Sequence, residues 1–370
     1  MSIDDKIDEN TVRLVAFGPG FGESIALYIP EVGWGVIDSC LVKNNNKRLN
    51  PTLEYLKSNN VNQLAFLVLT HPHQDHYLGI DHIIKHYLGR IERVCYYSGQ
   101  GIRKYRTYLA KNELLGERGI RQLANIFSEF EKAKNAGANI ITISERTEII
   151  RRNKFGQHYV EIVALSPSAE SEDLYSDLLF GSIPKKDGDT FKLLPDSDHN
   201  LISAAIWCSI GNLRIILGSD VETGKNQKTG WIGILDNVDC PDLSSQLIKV
   251  SHHGSPNAFY KNAWEKHSSG TSPVAIITPY NRLKNPLPSE KGLRRIAKYS
   301  EIIGITSKPK YVKPKKVYDR SVIKKLHGIR DWKCLVEYGR AGCIIVDLSI
   351  GDGTYKLTVD PPAHCIESNH

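Results

Sequence analysis

His71-Pro72-His73-Gln74-Asp75-His76 sets three imidazoles and one carboxylate within six residues. Imidazole nitrogen and carboxylate oxygen are the donors of zinc, manganese and iron sites. The spacing presents the rings of His71 and His73 to one ion and lets Asp75 and His76 turn towards a second. Two ions roughly 3.5–4 Å apart can share a water and clamp both oxygens of a displacement, which is hydrolytic chemistry. No side-chain nucleophile is needed. Ser255 could resemble one, but it follows His252-His253-Gly254 and lacks a Gly-x-Ser-x-Gly frame. The competing reading of the cluster is a set of solvated histidines that bind nothing. Among the chain's 13 histidines, His82, His86, His158, His267 and His327 have no such company and read as ordinary surface or core residues.

A cluster of this kind needs rigid supports. Leu64 to Thr70, immediately before it, is a continuous apolar run and reads as a strand buried on both faces. A helix is expected from about Gly79 to Tyr87. The motif therefore occupies a strand-to-helix loop, held at both ends and open to a cleft. Upstream, Val12 to Phe17, Ile25 to Ile29 and Trp34 to Ile37 are short apolar runs broken by Gly, Pro and Glu, the pattern of an antiparallel meander. A helix follows around Pro51 to Ser58, with Leu53, Tyr55 and Leu56 on its apolar face. Downstream, the stretch 102–136 is charged and helical in pattern, and Tyr159 to Leu165 reads as a strand. Ser166 to Asp198, rich in Ser, Asp, Gly, Pro and Lys, reads as a long loop. Strand-like runs resume at Leu201 to Cys208 and Leu213 to Leu217 across a Gly211-Asn212 turn. Leu247 to Ser251, Val274 to Thr278, Cys343 to Leu348 and Tyr355 to Val359 add further strands, with a helix around Ser289 to Tyr299. Mixed strands and helices, with the distinctive residues at strand ends, indicate a layered α/β fold.

Of the 370 residues, 24% are charged and 41% hydrophobic, ordinary for a globular chain able to bury a large core. Seven cysteines, an odd number without a Cys-x-x-Cys, argue against a disulfide framework, and Cys208 and Cys343 in apolar runs read as core. The acidic, polar start lacks the features of a signal peptide, and no stretch reaches the roughly 20 apolar residues of a membrane span. A soluble cytoplasmic protein without a membrane partner is the expectation. The net charge of +7 matters where it clusters: 307–325 holds eight basic residues and one acid, including Lys308-Pro309-Lys310-Tyr311-Val312-Lys313-Pro314-Lys315-Lys316.

His-x-His-x-Asp-His followed by Gly79 resembles the signature of the metallo-β-lactamase superfamily. The resemblance implies an αββα sandwich with a dinuclear metal site at one edge and further ligands from later strand ends. It assigns His199, before the Leu201 run, as third ligand of the first metal, with Asn200 as the alternative occupant of that place. Asp220, in Gly218-Ser219-Asp220, becomes the bridging carboxylate, and Ser251-His252-His253-Gly254-Ser255 supplies the last ligand of the second metal. If the strand continued extended, its two histidines would point to opposite sides. His253 is then the favoured ligand and His252 a group supporting a ligand or a proton donor, with the reverse assignment as the alternative. Asp38 is either a carboxylate orienting a ligand histidine or a turn residue ending its strand. The series Asn200-x-x-Ser203, Gly-Ser-Asp, His-His-Gly-Ser is similar to the hydrolase domain of the ComEC DNA-uptake proteins and to phosphorylcholine esterase, over roughly 12–278.

These readings converge on one hydrolase domain over 1–306, with insertions at about 98–136 and 166–198, and a basic C-terminal extension over 307–370 packed on it. The metal set is His71, His73, Asp75, His76, His199, Asp220 and His253, holding two divalent ions, Zn2+ or Mn2+. Asp75 and His252 are the catalytic candidates: the first orients the attacking water, the second protonates the leaving group. A phosphodiester in DNA, RNA or a nucleotide is the expected substrate, because lysines interleaved with tyrosine and proline can track a phosphate backbone. Arg103, Lys104, Arg106, Arg118 and Arg121 could add charge near the cleft. A thioester, lactone or other small ester is the alternative substrate, and a non-catalytic binding or regulatory module the alternative class.

Overall fold

The computed structural model describes residues 7–44, 47–99, 102, 118–182, 194, 196–307 and 342–367. Two eight-stranded sheets face each other. The first contains β1 (Thr11–Gly18), β2 (Ser24–Ile29), β3 (Gly33–Ile37), β6 (Phe66–Leu69), β7 (Arg93–Tyr96), β8 (Asn139–Thr142), β16 (Gly342–Ser349) and β17 (Tyr355–Asp360), in the order β17-β16-β1-β2-β3-β6-β7-β8. The second contains β9 (Glu148–Phe155), β10 (His158–Ala164), β11 (Ile206–Ile210), β12 (Leu213–Leu217), β13 (Leu247–Lys249), β14 (Val274–Ile277), β15 (Ile302–Ile305) and β18 (His364–Glu367), in the order β18-β15-β14-β13-β12-β11-β10-β9. A small hairpin of β4 (Val42–Asn44) and β5 (Lys47–Leu49) stands apart. In each sheet an antiparallel meander gives way to parallel strands, at β3/β6 and at β12/β13. The crevice beyond the carboxyl ends of the strands at such a switch is where open sheets bind ligands.

Side-chain alternation along the strands produces the layers. Val12, Leu14 and Ala16 of β1 meet Ile206, Cys208 and Ile215 in the core between the sheets. Val15 of β1 and Leu67 of β6 face outwards, onto Leu53, Leu56, Ile80, Ile83, Phe127 and Phe130 of the helices Pro51–Ser58, Ile80–His86 and Arg118–Asn135. On the far face, Ile216, Ile248 and Ala275 pack on Trp231, Ile234, Trp264 and Ile296 of the helices Gly230–Asp236, Lys261–His267 and Glu290–Ile296. The result is an αββα sandwich. Cys208 and Cys343 are buried, and the described cysteines are free thiols.

The loop expected over 166–198 is corrected by a helix at Ala169–Ser182. Its polar composition conceals a single buried ridge: Tyr175 and Leu179, one turn apart, have no solvent access and join the core beneath the helices of the first sheet. Strands β4, β5, β7, β8, β9, β15 and β18 also exceed the sequence reading. Residues 342–367 contribute β16 and β17 to one sheet and β18 to the other. The basic run 308–316, His327, Cys334, Arg103, Lys104 and Arg106 lie outside the described residues, as do the side chains of Arg118 and Arg121. No helix among the described residues is long and apolar enough to cross a membrane.

Candidate metal centre

Every element that feeds the site ends at the same edge of the sandwich. Asp38 follows β3, His71, His73, Asp75 and His76 follow β6, Asp220 follows β12, His252 and His253 follow β13, and Thr278 follows β14. The motif loop is bracketed by backbone contacts that leave no room for side chains. A Cβ on Gly22 would meet the carbonyl oxygen of Asp75 at 2.8 Å, and one on Gly79 would meet Leu41 at 2.6 Å. Asn50 caps the Pro51–Ser58 helix and uses its amide to hold the Gly79 carbonyl at 2.9 Å and the Ser39 hydroxyl at 2.8 Å.

Three rings are anchored through Nδ1, which leaves Nε2 facing inwards. His76 Nδ1 bonds Asp38 Oδ2 at 2.7 Å, His253 Nδ1 donates to the Thr278 carbonyl at 2.7 Å, and His71 Nδ1 lies 3.1 Å from Thr70 Oγ1. Partners of this kind fix the tautomer and aim of a ligand ring. Asp38 thus has the orienting place, and it also accepts from Thr70 N and Oγ1, each at 2.8 Å. The relay continues across the sandwich. Ser219 Oγ donates to Thr70 Oγ1 at 2.7 Å, Ser203 Oγ donates to Ser219 Oγ at 2.9 Å, and Asp220 N donates to Ser203 Oγ at 2.9 Å.

The inward atoms test whether a cation fits. Nε2 of His71, Nε2 of His76 and Oδ1 of Asp220 are buried and make no hydrogen bond among the described residues, the last two lying 3.4 Å apart. Such orphans are costly unless something completes them. Donor atoms of His71, His73, His76 and Asp220 lie within 4.8 Å of one another, as do those of Glu23, His76, Asp220 and His253. Asp75 sits between the two groups, with Oδ2 3.0 Å from His253 Nε2 and Oδ1 against His73 Nδ1. The residues fit divalent metal, with His76 and Asp220 common to both groups.

Glu23 belongs to this neighbourhood as a support rather than a ligand. It reaches the Nδ1 sides of His76 and His253, at 3.9 and 3.8 Å, where those rings already have partners. Its Oε2 is taken by Lys249 Nζ at 2.5 Å and Thr278 Oγ1 at 2.6 Å.

Electrostatics agree. Burial would raise Asp75 and Asp220, but the surrounding imidazoles outweigh it and hold both carboxyls well below the usual range. Burial would lower His76 and His253, but Asp220 and the other nearby carboxylates raise both. Burial, reinforced by His76, pushes His71 well down. The centre gathers carboxylates and imidazoles that hold one another in their charged forms.

The structure brings His71, His73, Asp75, His76, Asp220 and His253 together. His199 stands on the rim, outside both close groups: its Nδ1 is 2.8 Å from Tyr175 Oη and its ring lies 6.5 Å from that of His73. Asn200 donates to Glu222 Oε1 at 3.1 Å, and its buried Oδ1 makes no hydrogen bond among the described residues. The expectation that His252 and His253 diverge is corrected. Both have left-handed backbones, with φ of 45° and 55°, in a tight turn that brings both rings towards Asp220, at 3.9 and 3.8 Å from Oδ2. Asp38 and Ser219 are left-handed too, at 56° and 43°. Strain concentrated this way, about 1–3 kcal/mol per residue, marks functional sites.

The sequence reading missed Glu23, Lys249, Thr278, Tyr175 and Glu222. Only Lys249 left a usable signal, a lone charge inside the apolar run Leu247 to Val250.

No family model matches the chain, and no curated protein sequence matches it. Among solved structures, it is similar to Zn2+-bound PqqB from Methylobacterium extorquens at 12% identity, with a TM-score of 0.24. The match covers 52% of this chain and 51% of that one, so the chain spans about half the length of that structure.

Proposed function

We propose that the chain is a dinuclear metal-dependent hydrolase whose substrate is a phosphodiester, in nucleic acid or a nucleotide. The observation that carries the hydrolase reading is the convergence of three buried ligand atoms without a hydrogen bond, on His71, His76 and Asp220. Charge supports two ions. Glu23, Asp38, Asp75 and Asp220 are four buried carboxylates, and Lys249 is the one buried ammonium beside them among the described residues. With the carboxylates ionised and the imidazoles neutral, as metal ligation requires, the net charge is three negative. One divalent ion leaves a negative excess, whereas two exceed it by one and leave room for an anionic substrate or a hydroxide.

His71, His73 and Asp220 would hold one ion, with His199 or Asn200 at its open side. Asp75, His76, His253 and Asp220 would hold the other. Bound there, zinc or manganese supplies Lewis acidity and brings the pKa of water down towards about 7. The protein's own groups do the rest. Asp75, fixed by His253, orients the attacking water. His252 lies on the solvent side, 19% exposed, with Nδ1 3.5 Å from Glu222 Oε1. Glu222 is itself held by Asn200 and by Asn257, the latter at 2.8 Å. That pairing aims His252 Nε2 at the site, where it can hand a proton to the leaving oxygen. The phosphodiester assignment draws on the ComEC-like motif series and on the lysine-rich run 308–316.

Purified protein is expected to carry close to two equivalents of zinc or manganese by mass spectrometry. It should turn over bis(p-nitrophenyl) phosphate and cleave labelled DNA or RNA. Turnover confined to thioesters or lactones refutes the phosphodiester assignment and leaves the hydrolase. Absence of bound metal and of any turnover after reconstitution refutes the enzyme.

A further inference from the structure

Glu23 and Lys249 form an ion pair sealed from solvent, at 1% and 0% exposure. Glu23 immediately precedes β2 of the first sheet, and Lys249 ends β13 of the second. The pair therefore joins the sheets directly behind the ligand histidines. Its geometry is fully specified. Lys249 Nζ is 2.5 Å from Glu23 Oε2 and donates also to the Val250 carbonyl at 3.1 Å. Thr278 Oγ1 donates to the same Oε2, and Glu23 N donates to the Asp75 carbonyl at 3.0 Å. Buried ion pairs are weak stabilisers, and apolar replacements of similar volume often serve the fold as well. What distinguishes this one is its placement: the carboxylate touches the backs of the His76 and His253 rings and of neither His71 nor His73.

We propose that Glu23 and Lys249 set the cation affinity of the His76/His253 half of the centre, the carboxylate raising it and the ammonium restraining it. This rests on reading the centre as dinuclear. A carboxylate behind an imidazole enriches the ring and attracts a cation in front of it. An ammonium on that carboxylate cancels part of the attraction. Removing one charge or the other therefore moves affinity in opposite directions. A purely structural clamp would move both the same way.

The test uses the full chain stripped of metal, with Zn2+ titrated against a chromophoric chelator at fixed pH and salt. Wild type, Glu23→Gln, Lys249→Met and the double variant are compared, with stoichiometry by mass spectrometry and metal-free stability by urea unfolding. In Glu23→Gln the second equivalent of Zn2+ should bind about 10-fold more weakly. In Lys249→Met it should bind more tightly by a similar factor. Both single variants should lower metal-free stability, because each strands a buried charge, and the double variant should recover it. Should Lys249→Met fail to fold, the double variant compared with Glu23→Gln reads the same sign, since removing the ammonium tightens binding in either background. Weaker or unchanged second-ion binding on removing Lys249 overturns the proposal. A wild type that takes up fewer than two Zn2+ overturns the dinuclear reading instead, which keeps the two failures apart.

Discussion

His252 and His253 are neighbours in sequence with different work to do. His253 is 1% exposed, gives Nδ1 to a carbonyl and faces Asp75 with Nε2 at 3.0 Å. His252 turns one ring face to solvent and has a carboxylate, Glu222, on its outer nitrogen. Without that left-handed turn only one ring could reach Asp220. The roles predict a clean separation. His253→Gln should reduce bound zinc from two equivalents to one. His252→Gln should retain both equivalents while turnover falls about 100-fold or more, the usual range for a lost proton donor. Mass spectrometry and initial rates on the same samples check this. Loss of metal in His252→Gln would reverse the assignment.

Helix Lys261–His267 covers the second sheet and ends on a histidine that binds nothing. His267 is 3% exposed, lies against Trp231 and Trp264, and has Nδ1 3.3 Å from the Leu243 carbonyl. Burial pushes its imidazole down to about 4, with the Leu243 contact opposing. Unfolded, it titrates near about 6.5. Between these values the unfolded chain holds more protons, so stability from this group is complete above about 6.5 and is lost as pH falls to 4. The difference corresponds to about 3 kcal/mol. In urea unfolding, wild type should therefore lose about that much relative to His267→Gln between pH 7 and pH 4, and parallel pH profiles would refute it. The same residue shows what sequence can say about elements. His267 was legible as ordinary because no ligand-type residue accompanied it. The apolar strands β1, β6, β11 and β12 were legible because buried strands are uniformly apolar or alternate. Helix Ala169–Ser182 was not, since its buried ridge of Ser171, Tyr175, Leu179 and Ser182 is half serine, and Leu174 and Leu178 are exposed. The motif ligands and Asp220 were legible from spacing and resemblance. The supports Glu23, Thr278 and Glu222 were not, because their partners lie on other strands and no local pattern marks them. The convergence of His252 and His253 depends on a left-handed backbone at non-glycine residues, which sequence preference opposes.

The candidate centre draws its side chains from both halves of the molecule. His71, His73, Asp75 and His76 leave the first sheet, while Asp220 and His253 leave the second. On the dinuclear proposal, an ion shared among them would tie the sheets together as a cross-link does. Metal should therefore act on global stability and not only on local order. Free Zn2+ at about 100 times its dissociation constant should stabilise the fold by about 2.7 kcal/mol per site. In a chain of this length that is a rise of a few degrees in Tm, growing with zinc concentration, and a chelator should reverse it. Asp220→Asn, which weakens the carboxylate common to both ligand groups, should blunt the zinc-dependent rise more than it lowers the metal-free Tm. The contrast matters because a ligand set confined to one sheet would stabilise its own loop and leave the unfolding of the other sheet unchanged. Scanning calorimetry with and without zinc decides between them: a single transition that moves as a whole supports the cross-link, and a Tm indifferent to zinc in a protein that binds it would remove the sheet-spanning role.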